Sequence, residues 1–267
     1  MKKLAFFLTA CVLVACQPQT KEQISSFPNG TWIDLTYNFD EQTIFWPTGD
    51  PFRLDTVFAG TTDGGYHYEA YSFCLAEHGG THLDAPVHFA EGKWSVEQIP
   101  LENCMGEAIV IDVSAKALPN HDYQISVEDV SKWEEANRSI PEGAMLLFRT
   151  AYGQFWPDKE SYMGTAERGA EAVPKLHFPG ISPDLARWLV KNRNIKAVGL
   201  DTPSIDYGQS KLFESHQILY AANILGFENL ANLDQMPEQG SWLMALPMKI
   251  KGGSGGPLRV VAMLPKD

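Results

Sequence analysis

The sequence has few cysteines and a deficit of positive charge. Its 267 residues include four cysteines, and 21 lysines and arginines stand against 33 aspartates and glutamates, which gives a formal net charge of −12. Because binding to nucleic acid requires a basic surface, this balance argues against a nucleic-acid partner. The cysteines show no spacing typical of a metal site. We also expect no disulfide between Cys74 and Cys104.

The sequence also lacks a long hydrophobic run after its N-terminal segment, so we expect contact with a membrane only there. Residues 1–15 combine a basic start with an apolar run from Leu4 to Leu13, the layout of a bacterial export signal. A small residue directly before Cys16 favours lipoprotein processing, in which this cysteine becomes the lipid-bearing N-terminus, and residues 16–27 then form a flexible tether. We expect an exported lipoprotein on the periplasmic side of the cell envelope, and Gln17 after the cysteine favours the outer membrane.

Internal repeats and the motifs of two common enzyme classes are absent. No Gly-x-Ser-x-Gly elbow is present, so a serine hydrolase has little support. The glycine-rich segment Gly252–Pro257 lacks a lysine at the offset of a phosphate loop and leads into a predicted strand instead of a helix. We expect it to form a tight loop near the functional site or a contact between subunits.

Residues 28–267 are enough for one substantial domain. Five short apolar runs, rich in β-branched residues and bounded by turn residues, are predicted strands. They are 108–113, 145–149, 197–200, 242–246 and 259–264. Helical patterns lie between some of them. The mixture predicts a single α/β domain with a mixed, barrel-like β core surrounded by helices.

Three segments carry helix signals. Ser126 opens a capping-box pattern that predicts a helix to about Ala136. Ser182-Pro183 combines an N-cap hydroxyl with proline at the first helical position. A third helix is predicted over 211–225, with Gly226 as the residue that ends it.

Four of the seven histidines lie between residues 67 and 88. His78, His82 and Asp84 fall within seven residues, and nitrogen and oxygen ligands of this kind suit zinc or manganese. In an extended strand His82 and Asp84 point to one side, and Gly79-Gly80 allows a sharp turn that returns His78 to them. A bound cation would remove the cost of crowding these groups together. The alternative is that each histidine has a separate structural role.

The histidine cluster resembles the hallmark of the cyclase-like metal-dependent hydrolases, a family that includes bacterial kynurenine formamidases and isatin hydrolases. The residues that carry the resemblance form the motif His78-x-Gly80-Thr81-His82-x-Asp84-x-Pro86-x-His88. The resemblance extends from Trp32 to near the C-terminus and includes a second signature at 201–206. It implies a cyclase-like swivelling β/β/α fold and a site for one or two divalent ions, zinc or manganese.

The resemblance also implies which residues bind the metal. His78, His82 and Asp84 match the ligands of one ion. Asp84 then bridges to a second ion, which a later histidine and a glutamate twelve residues beyond it complete. This sequence has His216 and, twelve residues on, Glu228. Without the resemblance, His216 is interpreted as part of an apolar helix face and Glu228 as a loop carboxylate.

Further roles follow from the same resemblance. His88 matches the residue that takes and returns a proton, and an imidazole with an ordinary pKa of about 6.5 suits both steps. The alternative is that His88 is an additional metal ligand. Phe45 and Trp46 resemble the family's substrate-lining segment, and His177 lies in a segment that resembles one near the site. Tyr66 is a further candidate for contact with an aromatic substrate.

The implied activity is metal-dependent hydrolysis of a small amide, with an aryl-formamide such as N-formylkynurenine as the substrate type. The alternative within enzymes is ring opening of a cyclic amide, imide or lactone, as in isatin hydrolases. A second alternative is a lipoprotein that binds metal or a ligand without turnover, against which the presence of His88 and Glu228 argues. Members of the family assemble, so we expect a homo-oligomer, a dimer or larger.

Overall fold

Strands form most of the regular structure, and seven of them close into a barrel. The structure is a computed structural model that describes residues 30–265, so the expected signal peptide, Cys16 and the tether lie outside the described residues. The strands are β1 Gly30–Asp34, β2 Arg53–Thr61, β3 His67–Cys74, β4 His82–Asp84, β5 Met105–Asp112, β6 Gln124–Ile125, β7 Ala144–Arg149, β8 Gly180–Ile181, β9 Ile195–Leu200, β10 Leu225–Glu228, β11 Ser241–Pro247 and β12 Gly255–Pro265. The helices are α1 Ser114–Ala117, α2 Val127–Ala136, α3 Lys159–Met163, α4 Pro183–Asn192 and α5 Glu214–Ala221.

The barrel closes because β4 pairs with a neighbour on each of its edges. The order around the barrel is β12-β11-β5-β7-β9-β10-β4, and β4 pairs back to β12. Within this sheet the neighbours β5, β7, β9 and β10 run parallel to one another. The other pairs of the same sheet, including β1 with β12, are antiparallel. The expected α/β domain with a mixed, barrel-like core is therefore confirmed.

Successive side chains of each barrel strand point to opposite faces, and this alternation separates two apolar layers. In β5, Ala108 and Val110 belong to a buried cluster with members from all seven barrel strands, which fills the interior. Ile109 and Ile111 point the other way, into a second cluster that includes Leu185 of α4. Strands β7 and β9 are buried on both faces, which explains their apolar sequences, whereas β11 exposes Trp242 and Leu246 on its outer face. All five runs predicted as strands lie in barrel strands, with Val113 one residue beyond β5.

Two of the three helix predictions are confirmed. Ser126 precedes α2, where its side chain and that of Asp129 form the capping box. Ser182 Oγ accepts a hydrogen bond of 3.1 Å from Leu185 N at the start of α4. The caps satisfy backbone N–H groups that have no partner within the helix.

The third helix, α5, is shorter than the sequence predicts. Helix signals cover 211–225, but α5 spans Glu214–Ala221, and Gly226 lies inside β10. Asn223 takes a left-handed φ of 57°. The chain then enters the sheet between β9 and β4, where pairing on both edges outweighs helix propensity. The prediction that Gly226 ends the helix is therefore wrong, and so is the interpretation of Glu228 as a loop residue.

A long hairpin lies outside the barrel. Its strands β2 and β3 form a separate two-stranded sheet, and large apolar side chains such as Leu54 and Phe73 are exposed on it. Within residues 30–265, Cys74 at its end and Cys104 are free cysteines. Among the helices within residues 30–265, none has the length and apolar character needed to cross a membrane.

Gly226→Ala is expected to destabilise the fold, because an added Cβ would lie 2.2 Å from Tyr220 Oη. We expect the free energy of unfolding to fall by about 1–3 kcal/mol, the usual cost of overpacking. Gly256→Ala is the matched control, since Gly256 is also a buried strand glycine, but the nearest atoms to its Cβ lie at 3.5 Å. Urea denaturation of both variants measures the difference, and equal losses would contradict the prediction.

Candidate metal centre

The shortest barrel strand carries the first part of the site. β4 places His82 and Asp84 on one face, both buried, with Leu83 in the barrel core between them. Gly80 takes a left-handed φ of 56° directly before the strand. The turn expected at Gly79-Gly80 is therefore present. It returns His78 to the strand, where His78 Nδ1 lies 2.7 Å from Asp84 Oδ1.

The second part of the site comes from α5 and β10. Glu228 pairs with His82 in the register of β10 and β4. His216 Nε2 lies 3.3 Å from Glu228 Oε1 and 3.5 Å from Asp84 Oδ2. The donor atoms form two groups of three, each within 4.8 Å: His78, His82 and Asp84 in one, and Asp84, His216 and Glu228 in the other. All five residues expected to bind metal therefore converge, and Asp84 belongs to both groups.

Hydrogen bonds orient two of the rings so that one nitrogen of each faces the carboxylates. His82 Nδ1 donates to the carbonyl oxygen two residues earlier, at 3.0 Å, so in the neutral ring it is Nε2 that carries the lone pair. This Nε2 lies 3.2 Å from Asp84 Oδ1 and 3.3 Å from Glu228 Oε2, yet neither contact has hydrogen-bond geometry. His216 also presents Nε2, because its Nδ1 donates to Asp206 Oδ2 at 2.5 Å.

The buried carboxylates create a strong demand for positive charge. Burial lowers the pKa of His82, but Asp84 and Glu228 outweigh it and raise that pKa to about 10. Burial also lowers the pKa of His216, yet hydrogen bonds to Asp206 and to the two cluster carboxylates raise it well above its ordinary value. Burial would raise the pKa of Asp84, but the imidazoles around it hold the pKa well below its ordinary value.

A divalent cation fits this set of donors. The orphaned Nε2 of His82 points at two carboxylates, an arrangement that a proton or a metal ion between them would satisfy. Imidazole nitrogens and carboxylate oxygens are the ligands that zinc and similar metals prefer. A metal ion would supply the positive charge and leave the imidazoles neutral, as ligation requires. The cluster is therefore suited to hold a metal.

A cavity of about 290 Å³ opens beside the cluster. His88 lines it from a 3-10 turn, and its ring stacks on that of His78 with centroids 3.8 Å apart. Burial lowers the pKa of His88 to about 4, so the expectation of an ordinary value near 6.5 is wrong, and the imidazole is neutral at pH 7. Phe45, Trp46 and Phe213 contribute an aromatic wall. The cavity therefore brings together the donor atoms, a neutral imidazole and a surface for a ring.

Two residues expected on the substrate side lie elsewhere. His177 is exposed, and its Nδ1 lies 2.9 Å from both carboxylate oxygens of Asp122, in a shallow surface pocket separate from this cavity. The neighbouring Phe178 turns inward instead and contacts Trp46 edge-on. Tyr66 is 64% exposed in the turn between β2 and β3. The structure therefore does not support His177 or Tyr66 as substrate contacts.

Sequence reasoning missed several residues that hold the site together. Asp206 accepts hydrogen bonds from both the backbone N–H and Nδ1 of His216. Tyr220 Oη donates to Asp84 Oδ2 at 2.8 Å, and its place one helical turn after His216 is a signal that the sequence contains. Phe213 gave no such signal: it takes a left-handed φ of 49° before α5, and its ring contacts Trp46 and Phe89, which are far from it in the sequence.

Comparisons with known proteins agree with this geometry. Residues 33–207 match the family model Cyclase, described as "Putative cyclase". The chain belongs to the Cyclase family. Isatin hydrolase of Roseibium aggregatum is 30% identical to it over 200 residues, which cover 72% of this chain and 73% of that protein. Kynurenine formamidase of Bacillus cereus is 27% identical over 230 residues, which cover 86% of this chain and 96% of that protein.

A solved structure supports the same assignment. Isatin hydrolase A from Labrenzia aggregata, bound to benzyl benzoate, matches this Cyclase-family chain with a TM-score of 0.78 and 33% identity. The match covers 88% of this chain and 94% of that one. The cyclase-like fold expected from the histidine motif is therefore confirmed.

Zinc is expected to raise the melting temperature of this Cyclase-family protein, because a ligand that binds only the folded state stabilises that state. At a free zinc concentration of 100 times Kd, the gain in the free energy of unfolding is about 2.7 kcal/mol. Asp84→Asn should abolish most of the rise, since Asp84 belongs to both donor groups. Asp122→Asn is the matched control, because Asp122 also contacts a histidine but lies outside the cluster. Scanning fluorimetry with and without zinc measures all three proteins. A full rise in Asp84→Asn would contradict the assignment.

Proposed function

We propose that the protein is a metal-dependent hydrolase that cleaves an amide C–N bond of a small aromatic compound. One observation carries the proposal: the donor cluster, His88 and an aromatic wall line a single cavity. The names of the relatives, a formamidase and an isatin hydrolase, support it. An aryl-formamide of the N-formylkynurenine type, the substrate implied by the histidine motif, is one of two substrate classes to test.

The metal in this proposal is zinc or manganese, one or two ions per chain. His78, His82 and Asp84 would hold the first ion, and Asp84, His216 and Glu228 the second, because these are the two groups of converging donor atoms. When bound, a divalent cation supplies an acidified water and polarises a carbonyl oxygen.

His88 is the proposed acid–base group. Its imidazole is neutral and lines the cavity beside the cluster, so a ring nitrogen can accept the proton of the attacking water. The same nitrogen can return that proton to the leaving nitrogen of the amide. Its stacking on His78 fixes the plane of the ring, which keeps the path of the proton short.

The aromatic wall would bind the ring of the substrate. Trp46 and Phe213 meet edge-on with centroids 6.1 Å apart, and Phe213 lies 5.4 Å from Phe89. Offset and edge-on contacts of this kind favour a planar aromatic ligand. Burial of the ring also displaces water from the reacting bond.

Ring opening of an uncharged cyclic amide, the isatin hydrolase type, is the second candidate, and the charge of the cavity favours it. The residues lining the cavity include no lysine or arginine, within the part of the chain that the structure describes. An amino-acid substrate such as N-formylkynurenine would bring a carboxylate that finds no cationic side chain there. A neutral bicyclic amide makes no such demand.

The cellular setting forms part of the same proposal. Lipidation at Cys16 would tether the enzyme to the periplasmic face of the outer membrane, where it would meet environmental aromatic compounds. Assembly into a dimer or larger homo-oligomer is also proposed. A binding protein without turnover is less well supported, because mere binding does not need the neutral imidazole of His88 beside the donor cluster.

His88→Ala is expected to keep its bound metal but to lose turnover about a hundredfold to ten-thousandfold, the usual contribution of general acid–base catalysis. Elemental analysis and a steady-state assay measure the two effects. His177→Ala is the control, because His177 is an exposed histidine outside the cavity, and its turnover should be unchanged. Loss of stoichiometric metal in His88→Ala would instead make His88 a ligand.

The two substrate classes are separated by assaying the metal-loaded protein on isatin and on N-formylkynurenine by absorbance. We expect the higher kcat/KM on isatin, because the lining of the cavity offers no partner for an amino-acid carboxylate. A higher kcat/KM on N-formylkynurenine would reverse that ranking. Turnover of neither compound by protein with bound metal would favour the binding-protein alternative.

A further inference from the structure

The glycine-rich loop Gly252–Pro257 has no role in the chemistry above, yet it contacts a proposed metal ligand. Ser254 Oγ lies 2.9 Å from His78 Nε2. The loop is held there by sheet pairing, in which Gly255 lies opposite Asp84. A Cβ on Gly255 would lie 2.5 Å from His78 Cε1. The absence of a side chain at this position therefore lets the loop approach the imidazole, which explains a motif that resembles a phosphate loop without being one.

A carboxylate sets the direction of the Ser254 hydroxyl. Glu77 Oε2 accepts hydrogen bonds from Ser254 Oγ at 2.7 Å and from Ser254 N at 3.0 Å. A serine hydroxyl has one proton, and a carboxylate can only accept, so that proton points to Glu77. The hydroxyl oxygen is then left to accept the N–H of His78 Nε2.

This arrangement selects the tautomer of His78 that can bind a cation. His78 Nδ1 lies 2.7 Å from Asp84 Oδ1, on the side where the donor atoms converge, and without a cation this contact is a hydrogen bond that needs a proton on Nδ1. When a cation replaces that proton, the proton that Ser254 holds on Nε2 leaves the Nδ1 lone pair free to bind the cation. The opposite tautomer would place a proton on Nδ1 and block that nitrogen as a ligand. His82 has the reverse pattern, because a backbone carbonyl holds its Nδ1 and leaves Nε2 free. The two neighbouring imidazoles therefore present different nitrogens to the same cluster.

We propose that Ser254 and Glu77 are positioning residues that keep the Nδ1 lone pair of His78 available to a divalent cation. His78 needs this support more than its neighbours, since its side chain is 23% exposed, whereas that of His82 is 2% exposed. Partners behind a metal-bound histidine fix both its tautomer and its orientation. Because His78 stacks on His88, the same two residues also set the position of the acid–base group. The inference rests on the proposed metal site and not on any substrate.

Zinc affinity tests the proposal directly, measured by competition with a chromophoric chelator. Ser254→Ala removes the acceptor, so affinity is expected to fall about tenfold to a hundredfold, the usual loss when such a partner is removed. Ser254→Thr keeps the hydroxyl and is expected to restore most of the affinity. Ser241→Ala is the matched control, because Ser241 is buried and its hydroxyl has no hydrogen-bond partner within the described residues.

The nitrogen that carries the proton is a second readout, which a merely structural role would not change. In the zinc-loaded parent protein, long-range nitrogen–proton correlation spectra should show His78 protonated on Nε2. The variant Glu77→Leu should lower the affinity for zinc as Ser254→Ala does. Parent-like affinity in both variants, or a proton on His78 Nδ1 in the parent, would overturn the inference. If the parent protein binds no zinc, the proposed metal site is overturned as well. If the parent protein binds zinc through His78 Nε2, only this inference is overturned.

Discussion

The carboxylate of Asp84 is the interaction on which the site depends. Its Oδ1 lies beside His78 and His82, and its Oδ2 accepts from Tyr220 and faces His216. A buried carboxylate with several titratable neighbours is tolerated only if positive charge lies among them. Protons on the imidazoles or metal ions can supply that charge. His82 and His216 each turn Nε2 towards the carboxylates, so a metal ion can replace the protons there and bind the neutral rings.

The barrel makes room for this carboxylate with two glycines. Asp84 lies on β4 between Gly226 of β10 and Gly255 of β12, which are its direct pairing partners. A Cβ on the first would collide with Tyr220 Oη, and a Cβ on the second with the ring of His78. Each glycine therefore leaves space for one hydrogen-bond partner of Asp84. The sheet register and the chemistry of the site are thus specified by the same residues.

Much of this architecture can be predicted from the sequence, because the central barrel strands such as β7 and β9 are buried on both faces and leave apolar runs. The histidine motif also predicts the first half of the site, since Gly79-Gly80 and a three-residue strand are local features. The second half of the site is predicted only from the twelve-residue spacing between His216 and Glu228. That spacing indicates metal binding through the resemblance to the family, because no local sequence pattern does so. Asp84 links the halves, and its pairing with distant strands cannot be read from local patterns.

The failures have physical causes. Gly226 follows a helical pattern, so it resembles a helix terminator, but pairing with β4 and β9 draws it into the sheet. The contact of Phe213 with Trp46 and the contact of Ser254 with His78 join segments that are far apart in the sequence. His177 was expected at the site because its segment resembles a family segment near the site, and only the structure shows that Phe178 turns inward instead.

The brevity of β4 has a consequence for the order of folding. This strand has three residues, and it is the seam at which the barrel closes between β10 and β12. Both partners are remote from it along the chain, so their pairing carries a high entropic cost and belongs among the late contacts. The two donor groups therefore come together only when the seam is made. A partly folded chain would offer a metal only the local group of His78, His82 and Asp84, so completion of the second group and of the native topology would be one event.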